Sequence, residues 1–316
     1  MLVRIVYNLV QVAVVMTFSP LLAGVINRLK EVVQSKRGPS IFQPYRDIWK
    51  LFNKDQVFSE YSSWIFRFTP YLAFVAPIFV TLLIPVLTNY PLFFAFMGDM
   101  LGGGFVLALA GFFATLAAVD TANPYGPMGA SRTRLVGFLA EPVFMIVFFT
   151  VSFVAGSTIP YIVQEQWVKP FSNFFEPAHV LIILAFFILI LAEGGRIPVD
   201  NPSGHFELAM IDESKGLEYS GPAAALMKWG GEMKLFVLIC ILLNVLVTPW
   251  GLAQTTAPSA VLLAIPAILF KIFLFVLVLV VVESSLAKLR LFRISEFLGA
   301  AFIISVAAMI SWLFAF

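Results

Sequence analysis

Charge is scarce in this chain, and so are the residues that hold metals. Only 12% of the 316 residues are charged, against about 25% in ordinary soluble domains. A soluble fold could not hide the 60% that are hydrophobic, whereas a bilayer solvates them. One cysteine, Cys240, lies in an apolar run, and the two histidines, His179 and His205, stand far apart. Iron–sulfur, haem and zinc centres need clustered ligands at defined spacing, so the expectation is that this chain holds no metal of its own. A phosphate loop is missing too: the cluster Gly102-Gly103-Gly104 is not followed by a lysine. Two isolated histidines suggest no Ser-His-Asp or Cys-His arrangement. Nor is an internal repeat evident, which counts against an inverted-repeat transporter.

What the sequence has in abundance is apolar runs. A spanning helix needs about 20 mainly apolar residues. Eight candidates meet or approach that length, at roughly 3–27, 68–88, 100–119, 136–156, 178–193, 235–252, 260–283 and 297–316. The first is too long for a signal-peptide core and reads as a retained helix. The expected fold is therefore an all-α polytopic membrane protein with eight transmembrane helices, forming a single membrane domain over 1–316. Its larger loops fall at about 28–67, 120–135, 194–234 and 284–296.

The basic residues order this map. All lysines and arginines except Arg4, Lys169 and Lys271 fall in those four loops or their flanks. Lys and Arg accumulate in cytoplasmic loops, so the asymmetry predicts both termini on the non-cytoplasmic side of a prokaryotic inner membrane. It also attributes the basic first loop to the membrane surface and a docked partner rather than to nucleic acid. Within that loop Tyr45, Ile48, Trp49 and Phe52 share one helical face, while Arg46, Asp47, Lys50, Asn53 and Lys54 take the other. This is the pattern of an interfacial amphipathic helix, either a lipid-surface anchor or one wall of a protein-docking or hydrophobic-ligand cavity.

Ionisable groups within the hydrocarbon are costly and mark proton or ion paths by default. Glu141 stands about two turns into the fourth candidate, followed by Pro142, and Lys271 stands near the middle of the seventh. Lys271 must lose its proton or find a partner. Glu193 and Glu283 close the fifth and seventh candidates. Between Glu193 and Glu232 come Asp200, Glu207, Asp212, Glu213 and Glu218, with Arg196 beside them and Lys234 just beyond. Such a string is either a solvated acidic loop or a set of carboxyls that repulsion and burial render titratable.

These loops also carry a resemblance covering essentially the whole chain. Arg37-Gly-Pro39 and then Tyr45-Arg-Asp-Ile-Trp-Lys-Leu51 resemble the first cytoplasmic loop of the complex I subunit 1 family. Gly129-Ala-Ser-Arg132 followed by Glu141 is similar to that family's fourth-helix motif. The most specific match is Ala192-Glu193-x-x-Arg196-x-Pro198-x-Asp200, with Glu207-Leu208 and Glu218-Tyr-Ser-Gly221 downstream. The compact segment 37–47, Gly221-Pro222 leading to Met227-Lys-Trp229, and Glu283-Ser-Ser-Leu-Ala-Lys-Leu-Arg290 resemble the membrane-bound hydrogenase branch, which includes formate hydrogenlyase and hydrogenase-4. Ser203 and His205 stand where the family usually carries further glutamates, and His205 is a group that titrates near neutrality.

The resemblance implies a membrane anchor, not catalytic alone, that couples a redox reaction to proton or sodium translocation. Its implied coupling set is Glu141, Glu193, Arg196, Asp200, His205, Glu207, Asp212, Glu213, Glu218, Glu232, Lys234, Lys271 and Glu283. Arg37, Arg46, Asp47, Lys50, Arg132 and Arg134 would dock a peripheral arm. Implied partners are nickel–iron hydrogenase large and small subunits, an iron–sulfur subunit and antiporter-like membrane subunits, with the nickel–iron and iron–sulfur centres in those partners. The alternatives are a quinone-binding subunit of a complex I-like oxidoreductase and a stand-alone secondary transporter.

Overall fold

The computed structural model describes residues 2–95, 98–121, 123–168, 176–200, 211, 213–247 and 250–315. Among these the chain is helical with no strand; Thr88 and Ala253 form an isolated bridge. The elements are α1 (Leu2–Val33), α2 (Gln43–Phe52), α3 (Trp64–Leu83), α4 (Met100–Val119), α5 (Tyr125–Ala155) and α6 (Pro160–Val168). They continue with α7 (Pro177–Glu193), α8 (Gly221–Cys240), α9 (Pro258–Ser285) and α10 (Leu291–Ala315). The last turns of α8 widen into a π-helix, Ile241–Val247.

Among the described residues seven helices are long and apolar enough to cross a bilayer: α1, α3, α4, α5, α8 with its π-turns, α9 and α10. The remaining candidate is α7, whose 17 residues span about 25 Å against a hydrocarbon core of about 30 Å. The chain is a multi-pass membrane protein.

Contacts fix how the helices alternate. The C-terminal end of α7 meets α8 through Glu193 and Lys234, while its N-terminal end meets the π-turns through His179 and the Leu246 carbonyl. Tyr7, near the start of α1, donates to the Thr256 carbonyl just before α9, and Phe153 of α5 packs on Trp312 of α10. Lys30, near the end of α1, meets Glu283 near the end of α9. One end of the bundle thus gathers the ends of α1, α7 and α9 with the start of α8. The other end gathers the starts of α1, α7 and α9, the ends of α5, α8 and α10, and both ends of the described chain. The first is called the charged end below and the second the far end.

Helix boundaries differ from the hydropathy reading mainly at the charged end. The helix expected from 136 begins at Tyr125, the one expected from 235 begins at Gly221, and the first runs on to Val33. Hydropathy reports only the lipid-solvated part of a helix. Beyond it these helices continue because their polar side chains find partners on neighbouring helices. Close packing supports this. Gly221 sits at φ +54° against the Lys54 and Asp55 carbonyls, a left-handed conformation that L side chains rarely adopt. Gly230 lets α8 approach the backbone of α3, where a Cβ would meet the Ala73 carbonyl.

The amphipathic helix is α2, opened by Gln43 and Pro44, whose fixed φ suits a first turn. Pro44 and Ile48 are buried, Phe52 packs edge-on to Trp229 of α8, and the Tyr45 hydroxyl donates to the Thr17 carbonyl of α1. Trp49, expected on the same face, is 74% exposed. α2 therefore packs on α1 through Tyr45 and on α8 through Phe52, and leaves Trp49 outside.

At the far end the chain just after α3 is non-helical yet buried at Val86, Leu87 and Thr88. Non-helical backbone at membrane depth requires protein partners for its polar groups. Gln11 of α1 supplies them by donating to the Thr81 and Ile84 carbonyls at 2.5 and 2.8 Å. Asn244 of the π-turns donates to the Pro85 and Val86 carbonyls at 2.9 and 3.1 Å. Leu87 and Asn89 bond in turn to Ala253.

Candidate functional site

The charged end holds a cavity of about 660 Å³ whose walls come from α1, α2, α3, α4, α8 and the segment after α7. Ser19, Ala23, Ala73 and Pro77 make apolar or small-residue wall, and Glu193, Arg196, Asp200, Lys215, Lys228, Glu232 and Lys234 line the rest. A smaller adjoining cavity of about 140 Å³ reaches Arg134 and Glu141 and shares Glu193, Asp200, Lys215 and Lys234 with the larger one.

Most of the lining charges are paired across helices. Lys234 of α8 donates to Glu193 of α7 at 2.5 Å, and Lys288 donates to Asp200 at 2.6 Å. Asp200 also accepts from the Ile211 backbone N–H at 3.1 Å, which ties the two sides of the segment after α7 together. At the cavity's outer edge Lys228 bridges to Asp47 of α2 at 3.0 Å, both partly exposed.

Beneath these pairs lies a buried triad. Glu283 of α9, 2% exposed, sits between Lys30 of α1 at 3.5 Å and Arg196 at 3.8 Å. These separations favour charge neutralisation over directed hydrogen bonds. Both Glu283 carboxylate oxygens, Lys30 Nζ and Arg196 Nη1 have no hydrogen-bond partner among the described residues. Burial pushes the Arg196 guanidinium below its usual pKa, and the carboxylates of Glu283 and Glu232 oppose that shift. Glu232 Oε2 is likewise buried without a hydrogen-bond partner. Arg196 and Glu232 line the cavity, and Lys30 and Glu283 are buried behind Arg196, so two cations and two carboxyls from four separate segments are held together by field rather than by saturated bonds.

Several expected site residues thus converge: Glu193, Arg196, Asp200, Glu232, Lys234 and Glu283 share one region. Glu283 is no solvated interfacial carboxylate, because α1 delivers Lys30 against it. By hydropathy Lys30 falls within the basic first loop. The signal lay in its spacing, since Leu22, Ile26 and Lys30 follow one another at four-residue steps and all three are buried.

Other residues sit elsewhere. Glu141 lies about four turns into α5 because the helix starts earlier than expected. Its side chain is 47% exposed and faces Arg134 at 3.9 Å. Arg134, expected to dock a partner, also stacks over Phe112 at 4.6 Å. Glu218 accepts from Asn123, outside the triad, and next to it Tyr219 stacks on Phe66 and donates to the Phe66 carbonyl. Burial raises the Tyr219 pKa, so this phenol stays protonated. Arg37, Arg46 and Lys50 are exposed, Arg132 is half-buried, and Asp47 is engaged with Lys228. Glu213 opens a 3₁₀ turn, Glu213–Gly216. Ser203, His205, Glu207 and Asp212 lie outside the described residues.

Lys271 is separate from the cluster. It is 3% exposed, donates to Asn244 at 2.7 Å and lies 5.1 Å from the Trp250 ring. Its partner is an amide within the apolar run of α8. Scanning for charges passes over Asn244, which gives no hydropathy signal of its own. Among the described residues no three His, Cys, Asp or Glu side chains are grouped as a metal site.

A polytopic bundle with a charged cavity at one end and cross-helix ion pairs defines a class of membrane subunit, and the chain belongs to the NADH dehydrogenase family, whose profile matches residues 6–314. Within it, the chain is 33% identical over 311 residues to formate hydrogenlyase subunit 4 of Escherichia coli K12, covering 98% of this chain and 99% of that one. It is 30% identical over 314 residues to hydrogenase-4 component C of the same organism, covering 98% and 96%. Its fold is shared with a chain in the structure of the membrane-bound sulfane sulfur reductase, an archaeal respiratory membrane complex. There the TM-score is 0.83 at 20% identity, over 97% of this chain and 98% of the other.

Proposed function

We propose that this protein is the membrane-anchor and ion-coupling subunit of an energy-converting nickel–iron hydrogenase complex of the formate hydrogenlyase or hydrogenase-4 type. The observation that carries this reading is the buried charge cluster around the cavity, on a chain that matches formate hydrogenlyase subunit 4 end to end. The charged end faces the cytoplasm of a prokaryotic cell and both termini face outward, a placement that the asymmetry of the basic residues supports.

Hydrogenase large and small subunits and an iron–sulfur subunit dock there over Arg37, Arg46, Lys50 and Arg132, and these partners hold the nickel–iron and iron–sulfur centres. Turnover changes the charge above the cavity. Glu193, Asp200, Glu232 and Glu283, with Arg196 and Lys234, respond by shifting protons among groups that lie within one region, of which Arg196, Glu232 and Glu283 carry buried atoms without a hydrogen-bond partner among the described residues. His205, Glu207, Asp212, Glu213 and Glu218 extend the titratable set toward the docked arm. The smaller cavity leads toward Glu141, and from there toward antiporter-like partners in the membrane.

The test is to purify the native complex, identify its subunits and measure ion uptake into sealed vesicles during hydrogen evolution. A nickel-bearing large subunit is expected. Glu193→Gln and Glu232→Gln should lower the ions moved per hydrogen at least fivefold while hydrogen evolution continues. Full translocation in both variants would refute the path.

A second reading has one observation in its favour. The cavity's volume and its wall of Ala23, Ala73, Pro77 and Met227 would admit a quinone head group. Bound quinone in the purified complex, with no nickel, would decide for a quinone-binding subunit.

A further inference from the structure

From Lys234 to Asn244 on α8 and from Lys271 to Glu283 on α9, the polar groups fall into two layers. Between Lys234 and Asn244, α8 carries only Leu235–Leu243, all buried and apolar or thiol. Between Lys271 and Glu283, α9 carries only Ile272–Val282, all apolar. Each stretch is about 15–18 Å long at helical rise. Neither helix offers a stepping group between the charged end and Lys271, so Lys271 does not continue the carboxylate cluster along either of them.

Lys271 instead belongs to the far end. Its ammonium donates to Asn244 Oδ1 at 2.7 Å, and Asn244 is fixed by donating to the Pro85 and Val86 carbonyls. The π-turns that carry Asn244 are also gripped at Leu246 by His179. Above Lys271 lies Trp250, 5.1 Å from Nζ and half exposed, in the segment that leads to the exposed residues Gln254, Thr255 and Thr256. The Cys240 thiol of α8 is a titratable group in the field of Lys271. The flanking residues Phe270 and Ile272 on α9 are apolar. A buried cation thus lies one indole away from the far surface, on a bracket that holds its partner still.

We propose that Lys271 and Asn244 form a proton-exchange station for the far end of the bundle, a role that rests on the ion-coupling reading above. Lys271 gives up an ammonium proton to water at the far surface past Trp250. The N–H bond breaks and its electron pair stays on nitrogen. The neutral amine regains at that lone pair a proton from hydronium delivered by the antiporter-like partner subunits of the ion-coupling reading, so one proton enters from the partners for each one released to the far side. Both forms keep an N–H for Asn244 Oδ1, so the side chain holds its place through the cycle. Asn244 is the positioning residue.

The native complex in sealed vesicles tests this, with hydrogen evolution and ion translocation measured together. Arginine keeps a positive charge but does not release its proton. Lys271→Arg should assemble, evolve hydrogen within twofold of wild type, and translocate at least tenfold fewer ions per hydrogen. Lys271→His should recover at least a third of translocation, with its dependence on far-side pH moved to lower pH, because imidazole titrates about four units below an amine. Asn244→Leu should fall between wild type and Lys271→Arg. Wild-type translocation in Lys271→Arg would show that charge alone matters and would overturn the station. So would Lys271→His showing the wild-type pH dependence. Absence of translocation in the wild type would instead overturn the coupling reading on which the station depends.

Discussion

Glu283 shows how one buried residue behind the cavity can hold three segments. It is shared between Lys30 and Arg196 with all three side chains buried, so removing its charge leaves two cations without an anion between them. Breaking a buried pair from one side costs about 3–5 kcal/mol, much more than the pair contributes as a whole. Glu283→Gln is therefore expected to lower the thermal stability of the detergent-solubilised protein by an amount of that order. Adding Lys30→Met should restore part of the loss, which a melting series on the single and double variants would show. The outer pair behaves differently. Lys228 and Asp47 are both more than a third exposed, and such pairs contribute about 0–1 kcal/mol. Lys228→Ala should leave the melting temperature nearly unchanged.

At the scale of elements, α8 is the helix around which the site is arranged. Its first half carries Lys228, Glu232 and Lys234, its middle is apolar and its π-turns carry Asn244. Its register against α3 depends on Gly230, where a side chain would press on the Ala73 carbonyl. Overpacking costs about 1–3 kcal/mol where neighbours can yield, and more against backbone. Gly230→Val should reduce the yield of monodisperse protein, whereas Gly231→Val, with nothing within 4 Å, should not. Size-exclusion profiles of the two variants make the comparison. For α2, the exposed cations Arg46 and Lys50 point away from the bundle. Reversing both to glutamate should leave the membrane protein folded but lower co-purification of peripheral partners severalfold.

For the whole molecule, alternation of the helices puts both ends of the described chain at the far end, opposite the basic loops. With the positive-inside rule this predicts that a periplasmic reporter fused after Ala315 is active. The same reporter fused after Arg290 is silent. Activity at both sites would disprove the orientation. Membership of the NADH dehydrogenase family, with hydrogenase components matching from end to end, agrees with a subunit built to work inside a complex.

The membrane frame was legible in the residues because burial in lipid demands long apolar runs, and the gathering of the basic residues at one end was legible from their spacing between those runs. Glu193, Arg196 and Asp200 were legible as a motif. The sequence by itself could not place Lys30 against Glu283, since 253 positions separate them and only helix alternation brings them together. Nor could it tell that Lys271 stands apart from the carboxylates, because periodicity along one helix says nothing about partners on another. Asn244 and Gln11 were silent for a related reason. An uncharged amide barely disturbs hydropathy, and its value appears only when backbone carbonyls from a distant segment need a donor. Composition and charge thus determined the solvent and the class of this protein. Tertiary structure decided which charges meet, because pairing in a low-dielectric interior depends on distances of a few ångströms between helices.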